Sequence, residues 1–184
     1  MKKARIYTND FNRMILATKN FTGTNSKKGL HQYIRLEFDS ETSIVTAIAV
    51  DGYRMSVEHA VVSACDESFV AYVRNNIKLP NKMYADLELE GGDLMIRCGE
   101  FIFGLKQPEG EFLEWEKVLP NKEATFKIGF NGNYLLDALQ AAKISNGSSF
   151  KSPVILEFRS AVEPVIIRTN KNDVKMVLPI RIRD

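Results

Sequence analysis

The hydrophobic positions of this chain change period twice, and those changes divide it. Ala4–Thr8 alternates as a short strand, and Asn9 or Asp10 is placed to cap a helix running to about Phe21. Phe11, Met14, Ile15 and Thr18 fall on one face of that helix; Arg13, Ala17 and Asn20 fall on the other. Period two then returns. Ile34, Leu36 and Phe38 point one way in Gln32–Asp39, and Ile44–Val50 is nearly all apolar or small, as in a strand buried on both faces. Asp51-Gly52 predicts a two-residue hairpin turn. The returning strand Tyr53–Val62 sets Met55, Val57, His59 and Val61 on one side. Residues 63–120 read as entirely β. Phe69–Arg74, the Leu87/Leu89 alternation, Leu94–Cys98 after the Gly91-Gly92 turn, and Phe101/Phe103/Leu105 are the strands. Pro80 and Asn81 argue against a helix starting near Ile77. Gln107–Pro120 reads as a loop anchored by Trp115, with Phe112 nearby.

The pattern then starts over. Phe126, Ile128 and Phe130 make a strand, and Asn131 caps a helix to about Ser145 with Tyr134, Leu135, Ala138, Leu139 and Ala142 on one face. Three strands follow: Val154–Phe158, Pro164–Thr169 and the terminal Val174–Asp184. In the last, Val174, Met176, Leu178, Ile180 and Ile182 alternate as in a half-buried strand, interrupted by Pro179. A proline cannot donate to a ladder, so this strand lies at an edge or its ladder breaks there.

One β-α-β-β-β unit therefore occurs twice, with Arg5-Ile6…Asn9 matching Lys127-Ile128…Asn131 and Val118-Leu-Pro120 echoed by Val177-Leu-Pro179. Neither copy can bury its helix face alone. The expected class is α+β, a repeat of β-α-β-β-β units in antiparallel sheets with two helices on one face. The expected domains are 1–120, including an all-β segment 63–120, and 121–184.

Composition narrows the function classes. At 184 residues and 45% hydrophobic content the chain can build a real core. Its apolar runs are too short to span a membrane, and Cys65 and Cys98 are isolated thiols that fit a reducing cytoplasm. His31, His59 and the two cysteines lack metal-ligand spacing, and no nucleophile–base signature emerges, so neither a metal, a cofactor nor catalysis is expected. His59, on an apolar strand face, reads as a core or rim residue.

The net charge of +2 conceals a segregation. Residues 1–35 carry eight cations against Asp10, whereas residues 86–116 carry nine acids against Arg97 and Lys106. Such asymmetry hints at a polyanion partner for the basic part, or at ordinary solvated faces.

The repeat, the hairpin Val45-Thr-Ala-Ile-Ala-Val-Asp-Gly-Tyr-Arg-Met55, the stretch Gly110-Glu-Phe-Leu-Glu-Trp-Glu-Lys-Val-Leu-Pro120 and the ending Val177-Leu-Pro-Ile-Arg-Ile182 together resemble the bacterial sliding clamp, the β subunit of DNA polymerase III. Family chains are about twice as long, with three domains of two repeats each. This chain resembles the middle domain joined to the second half of the last, so a ring would need another subunit count or a full-length partner.

The resemblance implies a non-enzymatic processivity factor that encircles duplex DNA as a homo-oligomer. It also implies an apolar groove for short linear motifs of a polymerase or other replication proteins. Carried over, the groove residues are Val50, Gly52, Tyr53, Arg54, Met55, Pro120, Leu178, Pro179, Ile180 and Arg181. The cations facing the DNA backbone, independent of base sequence, would be Arg13, Lys19, Lys27, Lys28 and Lys143. The alternative is a clamp-derived peptide-binding adaptor or decoy that never encircles DNA.

Overall fold

The computed structural model describes residues 1–23, 26–81, 83–147, 152–170 and 172–182, excluding the side chains of residues 26–28. The chain folds as two compact units, Met1–Glu114 and Trp115–Asp184.

In the first unit, strand β1 (Lys2–Tyr7) runs directly into helix α1 (Thr8–Thr18). No side chain caps this helix. Instead Thr8 N–H donates to the Met83 carbonyl at 2.9 Å, and the Thr8 hydroxyl accepts from Met83 N–H at 3.3 Å. The expected cap at Asn9 or Asp10 is thus replaced by a tertiary contact one residue earlier, which lets the strand turn into a helix without a loop. The buried face carries Phe11, Met14, Ile15 and Thr18, as the periodicity predicts, together with Thr8.

Next come β2 (Tyr33–Asp39), β3 (Ile44–Val50), β4 (Met55–Cys65), β5 (Phe69–Arg74), β6 (Tyr84–Glu90), β7 (Asp93–Cys98) and β8 (Phe101–Lys106). All pair antiparallel in the order β5-β2-β3-β4-β1-β6-β7-β8. Two strand-plus-meander halves interlock here. β1 precedes the meander β2-β3-β4 and pairs with β6, while β5 precedes the meander β6-β7-β8 and pairs with β2. The core collects side chains from both halves, including Ile6, Phe11, Met14, Leu36, Val73, Leu87 and Ile96.

Among the described residues, no helix lies between the first strand and the meander of the second half. A short loop takes that place and inserts Leu79, 1% exposed. Asn12 of α1 clamps it from both sides: its amide donates to the Leu79 carbonyl at 2.8 Å, and its oxygen accepts from Leu79 N–H at 2.9 Å.

Two sequence expectations change in β4. Ala60 and Val62 face the core, whereas Val61 and His59 are exposed, the latter within 3.0 Å of the Thr46 hydroxyl. The pairing explains this, since Ala60 lies opposite the core residue Val45 and His59 opposite Thr46; the hairpin tip is four residues long rather than two, Val50 pairing with Met55.

The second unit is a single β-α-β-β-β copy. It comprises β9 (Gly129–Phe130), α2 (Gly132–Asn146), β10 (Ile155–Glu157), β11 (Val165–Arg168), β12 (Lys175–Val177) and β13 (Pro179–Ile180). Asn131 caps α2 as expected, its side-chain oxygen accepting from Asn133 N–H at 3.0 Å and Tyr134 N–H at 3.4 Å. The ladder order is β10-β11-β12, with β13 and β9 as a separate pair. The break falls at the proline: β12 leaves β11 after Val177, and from Pro179 the chain pairs with β9 instead. Ala142, Val165, Ile167 and Val177 form a small core against Phe130, Leu135, Ala138 and Leu139.

Candidate functional site

The sequence-predicted groove residues fall in both units, and each group has its own local logic. In the first unit they form the β3–β4 hairpin. Asp51 organises it: Oδ1 accepts from Tyr53 N–H at 3.0 Å and Arg54 N–H at 3.2 Å, and Oδ2 accepts from Arg54 Nε at 2.9 Å. These donors hold the carboxyl below the usual range, the Arg54 side chain contributing most. The turn needs φ of +91° at position 52, which Gly52 supplies. Tyr53 projects 94% exposed from the tip. The Arg54 guanidinium lies 5.4 Å from the Phe21 ring centroid, a cation–π distance. Met55 is half-buried, and Val50 belongs to the core at 5% exposure, where its carbonyl lies 3.2 Å from His31 Nδ1.

In the second unit, Pro179, Ile180 and Arg181 line one cleft of about 530 Å³ together with Lys127, Gly129, Ala161, Val162 and Ile182. Leu178 is 62% exposed and Ile180 54%. The terminal stretch thus turns its even-numbered apolar residues outward, Val174, Met176, Leu178, Ile180 and Ile182 alike, while Val177 is the one that faces the core. The alternation is real, but its apolar side is the surface. Gly129 permits this packing, because a Cβ there would lie 3.0 Å from Ile182 Cγ1 and 3.3 Å from the Ile180 carbonyl oxygen. Pro120 is exposed in this unit.

Lys127, Ala161, Val162 and Ile182 are lining residues that sequence reasoning does not single out. Gly129 left a signal, a glycine within the alternating run Phe126-Lys-Ile-Gly-Phe130.

The five backbone-contact candidates are not equivalent. Arg13 donates to Glu58 Oε2 and to the His59 carbonyl, each at 2.6 Å, so strand β4 already engages its guanidinium. Lys19 lies just past α1, and Lys143 is exposed in the last turn of α2. The Lys27 and Lys28 side chains lie outside the described residues.

The wider charge segregation has an internal partner. Arg5 faces Asp86 across the β1–β6 ladder, with Nε to Oδ1 at 2.6 Å and Nη2 to Oδ2 at 3.0 Å, and Lys3 faces Glu88 at 3.5 Å. Lys2 reaches Glu67 at 2.8 Å. Lys3 and Arg5, two of the eight cations of the amino-terminal stretch, are thus complemented by the chain's own acidic strand β6.

Comparison with solved structures settles the architecture. The model superposes on a DNA polymerase III beta subunit of Eubacterium rectale with a TM-score of 0.86 at 14% identity, covering 97% of this chain and 50% of that one. The fold is that of a bacterial sliding clamp. The Pseudomonas aeruginosa beta subunit gives 0.82 at 16% identity, over 97% of this chain and 51% of the other. The Helicobacter pylori beta clamp, solved bound to a DNA ligase peptide, gives 0.77 at 12%, over 97% and 50%. The chain spans about half the length of these solved chains. No protein-family model and no curated protein matches the sequence.

Proposed function

We propose that the chain is a sliding-clamp-like, non-enzymatic processivity factor. It docks short linear motifs of a polymerase or other replication protein, and encircles duplex DNA once more than one copy assembles. The observation that carries the reading is the outward-facing Leu178-Pro-Ile-Arg181 edge beside a cleft, on a clamp fold. Exposed aliphatic side chains and a proline give a preformed apolar slot, and Arg181 and Lys127 can donate to peptide carbonyls or a carboxylate. The H. pylori relative, in complex with a ligase peptide, supports a peptide as the ligand class.

A second reading is favoured by one observation, the engagement of Arg13 by Glu58 and the His59 carbonyl. It is an adaptor that keeps the peptide site and leaves DNA alone. A helix face offering few available cations makes weak phosphate contacts by itself.

Fluorescence anisotropy with a labelled peptide from a clamp-binding ligase tests the shared core of both readings. Ile180→Asp is expected to weaken binding about 10-fold or more, as removal of a central apolar anchor does. Unchanged affinity in that variant rejects the site. Duplex-DNA binding that strengthens as salt is lowered favours the processivity reading, whereas no DNA binding at any salt favours the adaptor.

A further inference from the structure

In the first unit each strand-plus-meander half is completed by the other, and among the described residues the second unit holds one such half. In the first unit the strand before one meander pairs with the opening strand of the other, twice: β1 with β6, and β5 with β2. The second unit supplies one such strand, β9, and one meander, β10 to β13. Among the described residues, neither the outer edge of β10 nor that of β9 has a ladder partner. β10 is the kind of edge that proteins usually guard, yet Ile155 and Leu156, on its opposite faces, are 48% and 43% exposed.

We propose that two copies of this chain associate through their second units about a two-fold axis, each β10 pairing antiparallel with the β9 segment of the other copy. The arrangement is self-complementary, because one unit holds both the strand and the edge that the crossing needs. It is therefore isologous. It goes beyond the peptide-docking reading and does not depend on it.

The register follows from a motif that opens all three meanders: Arg35-Leu-Glu-Phe38, Asp86-Leu-Glu-Leu89 and Ile155-Leu-Glu-Phe158. In both crossings of the first unit the motif's leucine faces an alanine, Leu87 opposite Ala4 and Leu36 opposite Ala71. The repeat match of Ile6 with Ile128 puts Phe126 at the position of Ala4. Phe126 of one copy is thereby set opposite Leu156 of the other.

Two further observations agree. The alternating run that predicts a strand over Phe126–Phe130 is extended into a ladder only at Gly129–Phe130, and Phe126 is 59% exposed. A segment whose partner strand is absent has no ladder to join. Phe126, Ile155, Leu156 and Phe158 are each 43–59% exposed, so the edge offers a partner strand apolar side chains as well as backbone.

The experiment uses the full chain with Cys65→Ser and Cys98→Ala, carrying Phe126→Cys and Leu156→Cys together. Mild oxidation is expected to produce a covalent dimer of twice 20.8 kDa under denaturing conditions. An internal disulfide, or unreacted monomer, overturns the proposal, as does a monomeric mass for the unmodified chain at tens of micromolar in sedimentation equilibrium. Leu156→Lys, a change at a half-exposed position, is expected to raise the dimer dissociation constant at least about 10-fold while leaving the unfolding transition in place. A folded Leu156→Lys variant that dimerises as tightly as the parent overturns it. So does association only with an added full-length clamp subunit.

Discussion

At the scale of single residues, several side chains do more than their type suggests. Asn12 sits on the outward side of the α1 pattern, yet its amide satisfies both backbone groups of Leu79 and also donates to Asn81 at 3.0 Å. It thereby holds the loop that stands where the repeat's second helix would be. Asn12→Ala leaves a donor and an acceptor beside a buried leucine without their partner, and is expected to cost about 1–3 kcal/mol. Urea denaturation checks this; a loss below about 0.5 kcal/mol would mean the loop is held by Leu79 burial alone. Nothing in the sequence marks Asn12, because the spacing to its partner is 67 residues and no local pattern reports such a contact. Asp51 was legible as a turn residue, but its contact with Arg54 and the four-residue length of the tip were not. His59 faces outward because it pairs with Thr46, on the face of β3 opposite the core residues Val45 and Ala47.

Elements tell a clearer story, because periodicity survives where single contacts do not. Both helices, the hairpin strands and, within the segment 63–120 read as entirely β, the strands between Phe69 and Lys106 could be read from alternation and turn residues. The side that alternation exposes could not. In the terminal stretch Val177 takes the inner position, and the apolar set Val174, Met176, Leu178, Ile180 and Ile182 faces out. A period of two fixes that two faces differ, and tertiary pairing decides which one is covered. The charge segregation is resolved at this scale too. Arg5 and Lys3 face Asp86 and Glu88 because β1 lies beside β6. The Arg5 guanidinium, chiefly by hydrogen bonding, lowers the Asp86 carboxyl below its ordinary value. A carboxylate with a depressed folded value adds stability that is present above its unfolded value and is lost as pH falls through the folded one. Asp86→Asn is accordingly expected to lower the unfolding midpoint slightly at neutral pH and to make no difference in strong acid. Parallel melts of both proteins down the acid limb check it; equal midpoints at neutral pH would show that this ladder pair contributes nothing.

On the scale of the whole molecule, a clamp-like fold is preserved in a chain spanning half the length of its solved neighbours. The first unit closes on itself by two crossed strand pairs, whereas among the described residues of the second the outer edges of β9 and β10 have no ladder partner. The repeat was visible in the sequence as a matched strand, cap and helix. The completeness of each copy was not, since completeness lies in which strand of one half reaches the other. An open second unit suits a protein that works through partners, and the Leu178–Ile182 edge is where the account places a linear motif. The most direct test is nuclear magnetic resonance mapping of the full chain titrated with an unlabelled clamp-binding peptide. The account predicts shifts centred on Gly129, Val162 and Leu178–Ile182, and their loss in Ile180→Asp. Shifts that bypass this edge, or none at saturating peptide, would contradict it.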